Sequence, residues 1–126
     1  MRVFKTRVFD RWSGKVGVTD AALLKAVANI ERGLIDADLG SNLIKQRVAL
    51  PRRGKSGSTR TLLATRFLGA VYFLFGFEKS DRNNITRREL VIYQSLASNL
   101  VAFSNDQIEI ALKANELIEV QHEPDD

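Results

Sequence analysis

The stretch AVYFLFGF, Ala70 to Phe77, is apolar without interruption. Bounded by Gly69 on one side and Glu78-Lys79 on the other, it reads as a strand. Alternate side chains of a strand point to opposite faces, so this one is apolar on both. Such a strand needs neighbours at its sides and cover above and below. The chain is therefore expected to fold around a sheet that is packed on both faces. This is its longest apolar run, and a membrane-spanning helix needs about 20 such residues.

The flanking segments supply the rest of that architecture. Ile44 to Leu50 alternates, with Ile44, Val48 and Leu50 pointing one way and Lys45, Arg47 and Ala49 the other. Only Gln46 breaks the apolar side, and Pro51 stops the strand. Thr59 to Phe67, rich in threonine and leucine, predicts the next strand. Between them RRGKSGS, Arg52 to Ser58, is a basic loop containing glycine. Short connections make these three strands antiparallel.

Val3 to Val8 predicts another short strand, and Phe9 to Lys15 a helical turn carrying Trp12. Thr19 or Asp20 caps a helix over Ala21 to Arg32, with Leu23, Val27, Ile30 and Leu34 at helical spacing and Gly33 at its end. Leu34 to Asn42 reads as a loop. Thr86 with Glu89 has the spacing of a capping box and opens a helix reaching about Phe103. Its apolar stripe is Leu90, Tyr93, Ala97, Leu100 and Val101. Ser104 with Gln107 opens a shorter helix to about Asn115, and Leu117 to Gln121 suggests a short edge strand. The fold class is α+β: a small antiparallel sheet with N-terminal helices and C-terminal helices.

Composition narrows the chemistry. With 126 residues, 44% of them hydrophobic, one domain with a modest core is expected. The absence of cysteine excludes a disulfide framework, a thiol nucleophile and a thiolate zinc site. The lone histidine, His122, argues against a Ser-His-Asp triad and against a multi-histidine metal site. The expectation is a cytoplasmic protein with no metal, no cofactor and no membrane partner; the start, MRVFKTRVFD, lacks an apolar signal core.

Charge is distributed unevenly. Between Lys45 and Arg88 eleven Lys and Arg face only Glu78 and Asp81, a net of +9. From Asp106 to the end the net is −6. A basic block inside a structured region suggests a polyanion, with nucleic acid the leading candidate, although a solvated basic surface has the same signature. Gly54-Lys55-Ser56 invites a phosphate-loop reading. It lacks the upstream glycine (position 49 is alanine), and a strand follows it where that motif needs a helix.

Lys45-x-Arg47 is more informative. Period-two spacing puts both cations on one side of a strand, about 7 Å apart. Fixed cations of this kind can bind phosphate and stabilise charge growing on phosphoryl oxygens. Arg60 and Arg66 are expected to share a face of the next strand, in a register the sequence leaves open. Lys79 stands where the chain leaves the sheet, a frequent place for catalytic groups. Trp12, Phe73, Phe75 and Phe77 read as core rather than as base-stacking groups.

The middle third also carries a resemblance. The string IKQRVALPRRGKSGSTRTLLATR, followed by FLFGFEKSDRNNIT and a helix opening with Glu89-Leu90, resembles the RelE/HigB-like toxins of bacterial toxin–antitoxin pairs. It is similar to the subgroup with a KKRVA-type strand, a GKSGG-type loop, a Y-R-T strand and a GF-x-K-x-x-x-x-N-I segment. The GLIDADLG stretch matches as well. The similarity covers roughly Met1 to Phe103 as a toxin domain; residues 104–126 would add a C-terminal helix, a possible short strand and an acidic tail to the same domain.

The resemblance implies a sheet flanked by helices, related to small microbial RNases. It also implies metal-independent mRNA cleavage, usually on the ribosome, and an antitoxin with a helix-turn-helix domain. By position, Lys45, Arg47, Arg60 and Lys79 match the family's catalytic cations, and Arg52, Arg53, Lys55 and Arg66 are expected to bind RNA. The subgroup's G-G-Y-R reads Gly57-Ser58-Thr59-Arg60 here, without the aromatic. Tyr93 lies on the helix stripe and reads as core. A lysine crowded by cations can serve as a base, and Lys45 beside Arg47 is the candidate. Two other readings remain: a ParE-type inhibitor of DNA gyrase, and a non-catalytic nucleic-acid-binding relative.

Overall fold

A computed structural model describes residues 1–50, 58–66 and 69–122. In chain order the elements are β1 (Val3–Thr6), α1 (Arg7–Val16), α2 (Asp20–Glu31), β2 (Ala37–Asp38), β3 (Leu43–Ala49), β4 (Ser58–Thr65), β5 (Val71–Glu78), α3 (Arg87–Val101), α4 (Asn105–Lys113) and β6 (Leu117–Glu119). The strands form one sheet in the order β2-β3-β4-β5-β1-β6. The continuous apolar run is β5, and it lies inside the sheet between β4 and β1.

The expected antiparallel trio is β3, β4 and β5. β1 joins β5 in parallel, with Val3 opposite Val71, so the sheet is mixed. That pairing joins segments nearly 70 residues apart in sequence (compare Val3 with Val71), and no turn signal announces it. Leu34 to Asn42 is not wholly a loop. Ala37 and Asp38 form an edge strand beside β3, and a tight turn through Gly40, Ser41 and Asn42, all at positive φ, leads into β3.

Helices cover both faces. α1 and α2 pack Phe9, Leu23, Val27 and Ile30 against Ile44, Val48, Leu63 and Phe73. α3 and α4 pack Ala97, Leu100, Ile108 and Ala111 against Leu43, Leu62, Tyr72 and Leu74. α1 is a full helix rather than a turn. Thr6 caps its start by accepting from the Phe9 N–H, and Gly17 ends it in the left-handed region. Trp12 lies against Gly76, where a Cβ would collide with the indole; the glycine in an apolar strand is what admits the ring.

Gln46, the misfit on the apolar side of β3, is buried and satisfied. Its amide donates to the Leu34 carbonyl (2.9 Å) and accepts from the Asp36 N–H (3.0 Å), which fastens the segment before β2. The threonines of β4 follow the same logic. Buried Thr59 and Thr61 donate to the Val48 and Gln46 carbonyls. Lys5 is also buried beneath the first two helices, where it pairs with Asp10 (2.8 Å) and Asp20 (3.0 Å). Those contacts raise its pKa against the lowering effect of burial.

Candidate nucleic-acid interface

The β3–β4 register decides which cations meet. Lys45 lies opposite Leu62, and Arg47 lies directly opposite Arg60. Arg60 and Leu62 are in turn opposite Phe77 and Phe75 of β5. Residues paired across a sheet share a face, so two rows run across it: Lys45–Leu62–Phe75 and Arg47–Arg60–Phe77. Leu62 belongs to the core under α3 and α4. Lys45, Arg47 and Arg60 are therefore on that side of the sheet.

The three cations differ in exposure. Arg47 is exposed, while Lys45 and Arg60 are half-buried. The backbone N–H of Arg47 donates to an Asp36 carboxylate oxygen at 2.6 Å, which fixes this end of β3. Like charges directly opposite one another are unfavourable unless other groups offset them. Lys45 also opens onto a cleft of about 220 Å³ that it shares with Leu39, Asn84, Thr86, Arg87 and Leu90. The start of α3 thus brings Arg87 alongside Lys45.

Lys79 is exposed in the turn after β5. Glu78 is opposite Thr59, and Thr59 is opposite Val48, so Lys79 follows β5 at the end of the sheet where Arg47 and Arg60 lie. Arg66 is not on the strand. β4 stops at Thr65, and Arg66 falls in a bend beyond it, in a cleft with Tyr72, Phe103, Asn105 and Ile108. Six residues of extended chain put it roughly 20 Å from Arg60, at the other end of the sheet. Arg52, Arg53, Lys55 and the Gly54-Lys55-Ser56 string lie outside the described residues. The element after that string is β4, a strand.

Sequence reasoning missed Arg82. Its guanidinium donates to Glu89 at 2.7 Å and lies over the rings of Phe75 and Phe77 (5.2 and 5.4 Å to the centroids). The hydrogen bond from Arg82, and then that from the Thr86 N–H, pull the Glu89 carboxyl down to about 2. Phe75 stacks on Tyr93 at 5.1 Å. Burial first, and Glu89 second, push the Tyr93 hydroxyl up, favouring a neutral phenol. The Thr86–Glu89 capping box was legible in the sequence. That the same glutamate clamps an arginine onto two rings was not, since it depends on where the turn of residues 79–86 carries Arg82.

A six-stranded mixed sheet with two helices on each face, and Lys45, Arg47 and Arg60 together on one of those faces, defines a small α+β protein. A family model described as "RelE toxin of RelE / RelB toxin-antitoxin system" matches residues 1–120, and the chain belongs to that family. It is accordingly a RelE-type toxin of a toxin–antitoxin system, and its partner is an antitoxin. The match extends past α3 to include α4 and β6. Neither a curated protein nor a solved structure matches the chain. Among the described residues no helix is long and apolar enough to cross a membrane.

Proposed function

We propose that this toxin is an endoribonuclease that cleaves mRNA in the cytoplasm, at the ribosome, and is neutralised by an antitoxin with a helix-turn-helix domain. The observation that carries the reading is the Arg47–Arg60 pair beside Lys45 on one rigid face. Cations paired across neighbouring strands share one face of the sheet, a surface suited to an RNA phosphate.

The chemistry uses the substrate's own nucleophile. The 2′-hydroxyl oxygen attacks the adjacent phosphorus, the bond from phosphorus to the 5′-oxygen breaks, and a cyclic phosphate and a 5′-hydroxyl result. The protein must hold the attack in line, accept the 2′-hydroxyl proton, return a proton to the leaving oxygen and stabilise charge on the phosphoryl oxygens. Arg47 and Arg60 suit the last task. Lys45 is the proposed base, and Lys79 a further cation at the same end of the sheet.

Induced expression without antitoxin, followed by RNA end-mapping, tests the reading. Growth arrest with new 5′-hydroxyl ends inside coding regions is the expected result. Arrest with intact mRNA and altered DNA supercoiling would assign the protein to gyrase inhibition instead. A neighbouring short reading frame with a helix-turn-helix pattern is the expected genetic context.

A further inference from the structure

We propose that the Arg82 guanidinium is a stacking platform for one unpaired nucleobase of the bound RNA, an inference that rests on the endoribonuclease reading. The guanidinium is held from two sides. Phe75 and Phe77 lie beneath it. One Glu89 oxygen accepts from it at 2.7 Å, while the other accepts from the Thr86 N–H at 2.8 Å. Glu89 is itself fixed by the first turn of α3, so the planar group is positioned before any ligand arrives. Below it the π-system continues through Phe75 to Tyr93.

With its ion pair and its ring contacts already made, 32% of the Arg82 side chain remains exposed and available to a ligand. An unpaired base can lie on an arginine plane, because every base has a π-face. The location suits that role. Phe75 and Phe77 end the two rows that begin at Lys45 and Arg47, two strand spacings or about 10 Å away. A phosphate on the cations and the base of a nearby nucleotide on Arg82 are within reach of one short single strand. A purine, with the larger face, should stack better than a pyrimidine.

The test uses a short single-stranded RNA with 2′-O-methyl sugars, which cannot be cleaved, made as a series with each position abasic in turn. With the wild-type protein, removing the base at one position should weaken binding roughly five- to a hundredfold, the range of a single base–aromatic stack. A 2-aminopurine at that position should be quenched on binding. Arg82→Lys keeps the charge and loses the plane. It should abolish the positional effect while leaving the dependence of affinity on salt unchanged, with thermal melting confirming that it folds. If Arg82→Lys keeps the same positional pattern, or the wild type binds in a salt-dependent way with no favoured base, the platform is wrong and the RNA reading survives. If the wild type binds none of the series, the platform is wrong, and RNA end-mapping after induced expression decides the endoribonuclease reading separately.

Discussion

The two faces of the sheet treat positive charge differently. Under α1 and α2, Lys5 is buried and neutralised by two carboxylates, one from each helix. Under α3, Lys45 and Arg47 share a strand face with Arg60, and among the described residues no carboxylate forms an ion pair with the side chain of Lys45 or Arg47. The fold can evidently supply counter-charge to a cation where packing demands it. On the α3 side Arg82 is likewise paired, with Glu89, whereas Lys45 and Arg47 carry their charge on β3 without such an ion pair among the described residues. One face buries its cation within ion pairs; the other keeps Lys45 half-buried and Arg47 exposed.

The largest effect should come from opening the first face. Phe73 is fully buried and packs on Phe9 with ring centroids 5.2 Å apart. Phe73→Ala should cost about 3–5 kcal/mol, a large share of the roughly 5–15 kcal/mol that holds a domain together. Chemical denaturation measures it, and toxicity should be lost with the fold. A midpoint that hardly moves would show that this face does not hold the protein together.

Lys5→Met asks whether the buried ion pairs are structural. Stranding a fully buried partner typically costs about 3–5 kcal/mol. Here the side chains of Asp10 and Asp20 are 44% and 43% exposed and can rehydrate, so about 2 kcal/mol is expected. The pH dependence has a definite sign. Lys5 has a raised pKa, so its contribution is complete below the ordinary lysine value of 10.5 and fades as pH rises through the raised one. The stability gap between wild type and Lys5→Met should therefore narrow in alkali.

On the other face the loss should appear in activity. Lys45→Ala and Arg60→Ala are each expected to slow RNA cleavage at least about tenfold, or roughly 1.4 kcal/mol of transition-state stabilisation. Lys45→Ala should change stability by less than about 1 kcal/mol. Lys45→Arg keeps the charge but removes a group that readily deprotonates. If it cleaves like wild type, Lys45 acts by charge alone and the base lies elsewhere. Full activity in both alanine variants would dissolve the contrast between the faces.

Much of this contrast was legible in the sequence. Period-two alternation placed Lys45 and Arg47 on one side of β3, and the apolar run marked β5 as central. The meeting of Arg47 with Arg60 was not legible, because the hairpin register depends on the connecting segment. β4 ends at Thr65, so Arg66 lies in a bend rather than on the strand. Gln46 looked like a defect in an apolar face because its partners, Leu34 and Asp36, come from a segment that reads as a loop. Phe75 read as core by composition. It is half-buried, and what lies over it became visible only once the turn after β5 was placed.

The smallest effect concerns Glu89, which belongs to the α3 side and holds Arg82 over the rings. Its folded-state pKa is about 2, below the ordinary value of 4.5. A depressed carboxylate stabilises the fold above its unfolded pKa, and the contribution is lost as pH falls from about 4.5 through the folded value. The pair is partly exposed, so solvent screening should hold the effect to below about 1 kcal/mol. At pH 7 wild type should melt slightly above Glu89→Gln, and the gap should close by the time pH approaches 2. A gap that stays constant across that window would mean that Glu89 acts through the shape of its capping box rather than through its charge. Arg82 would then be held by the aromatic rings alone, and the α3 side would owe its order to packing, as the α1/α2 side largely does.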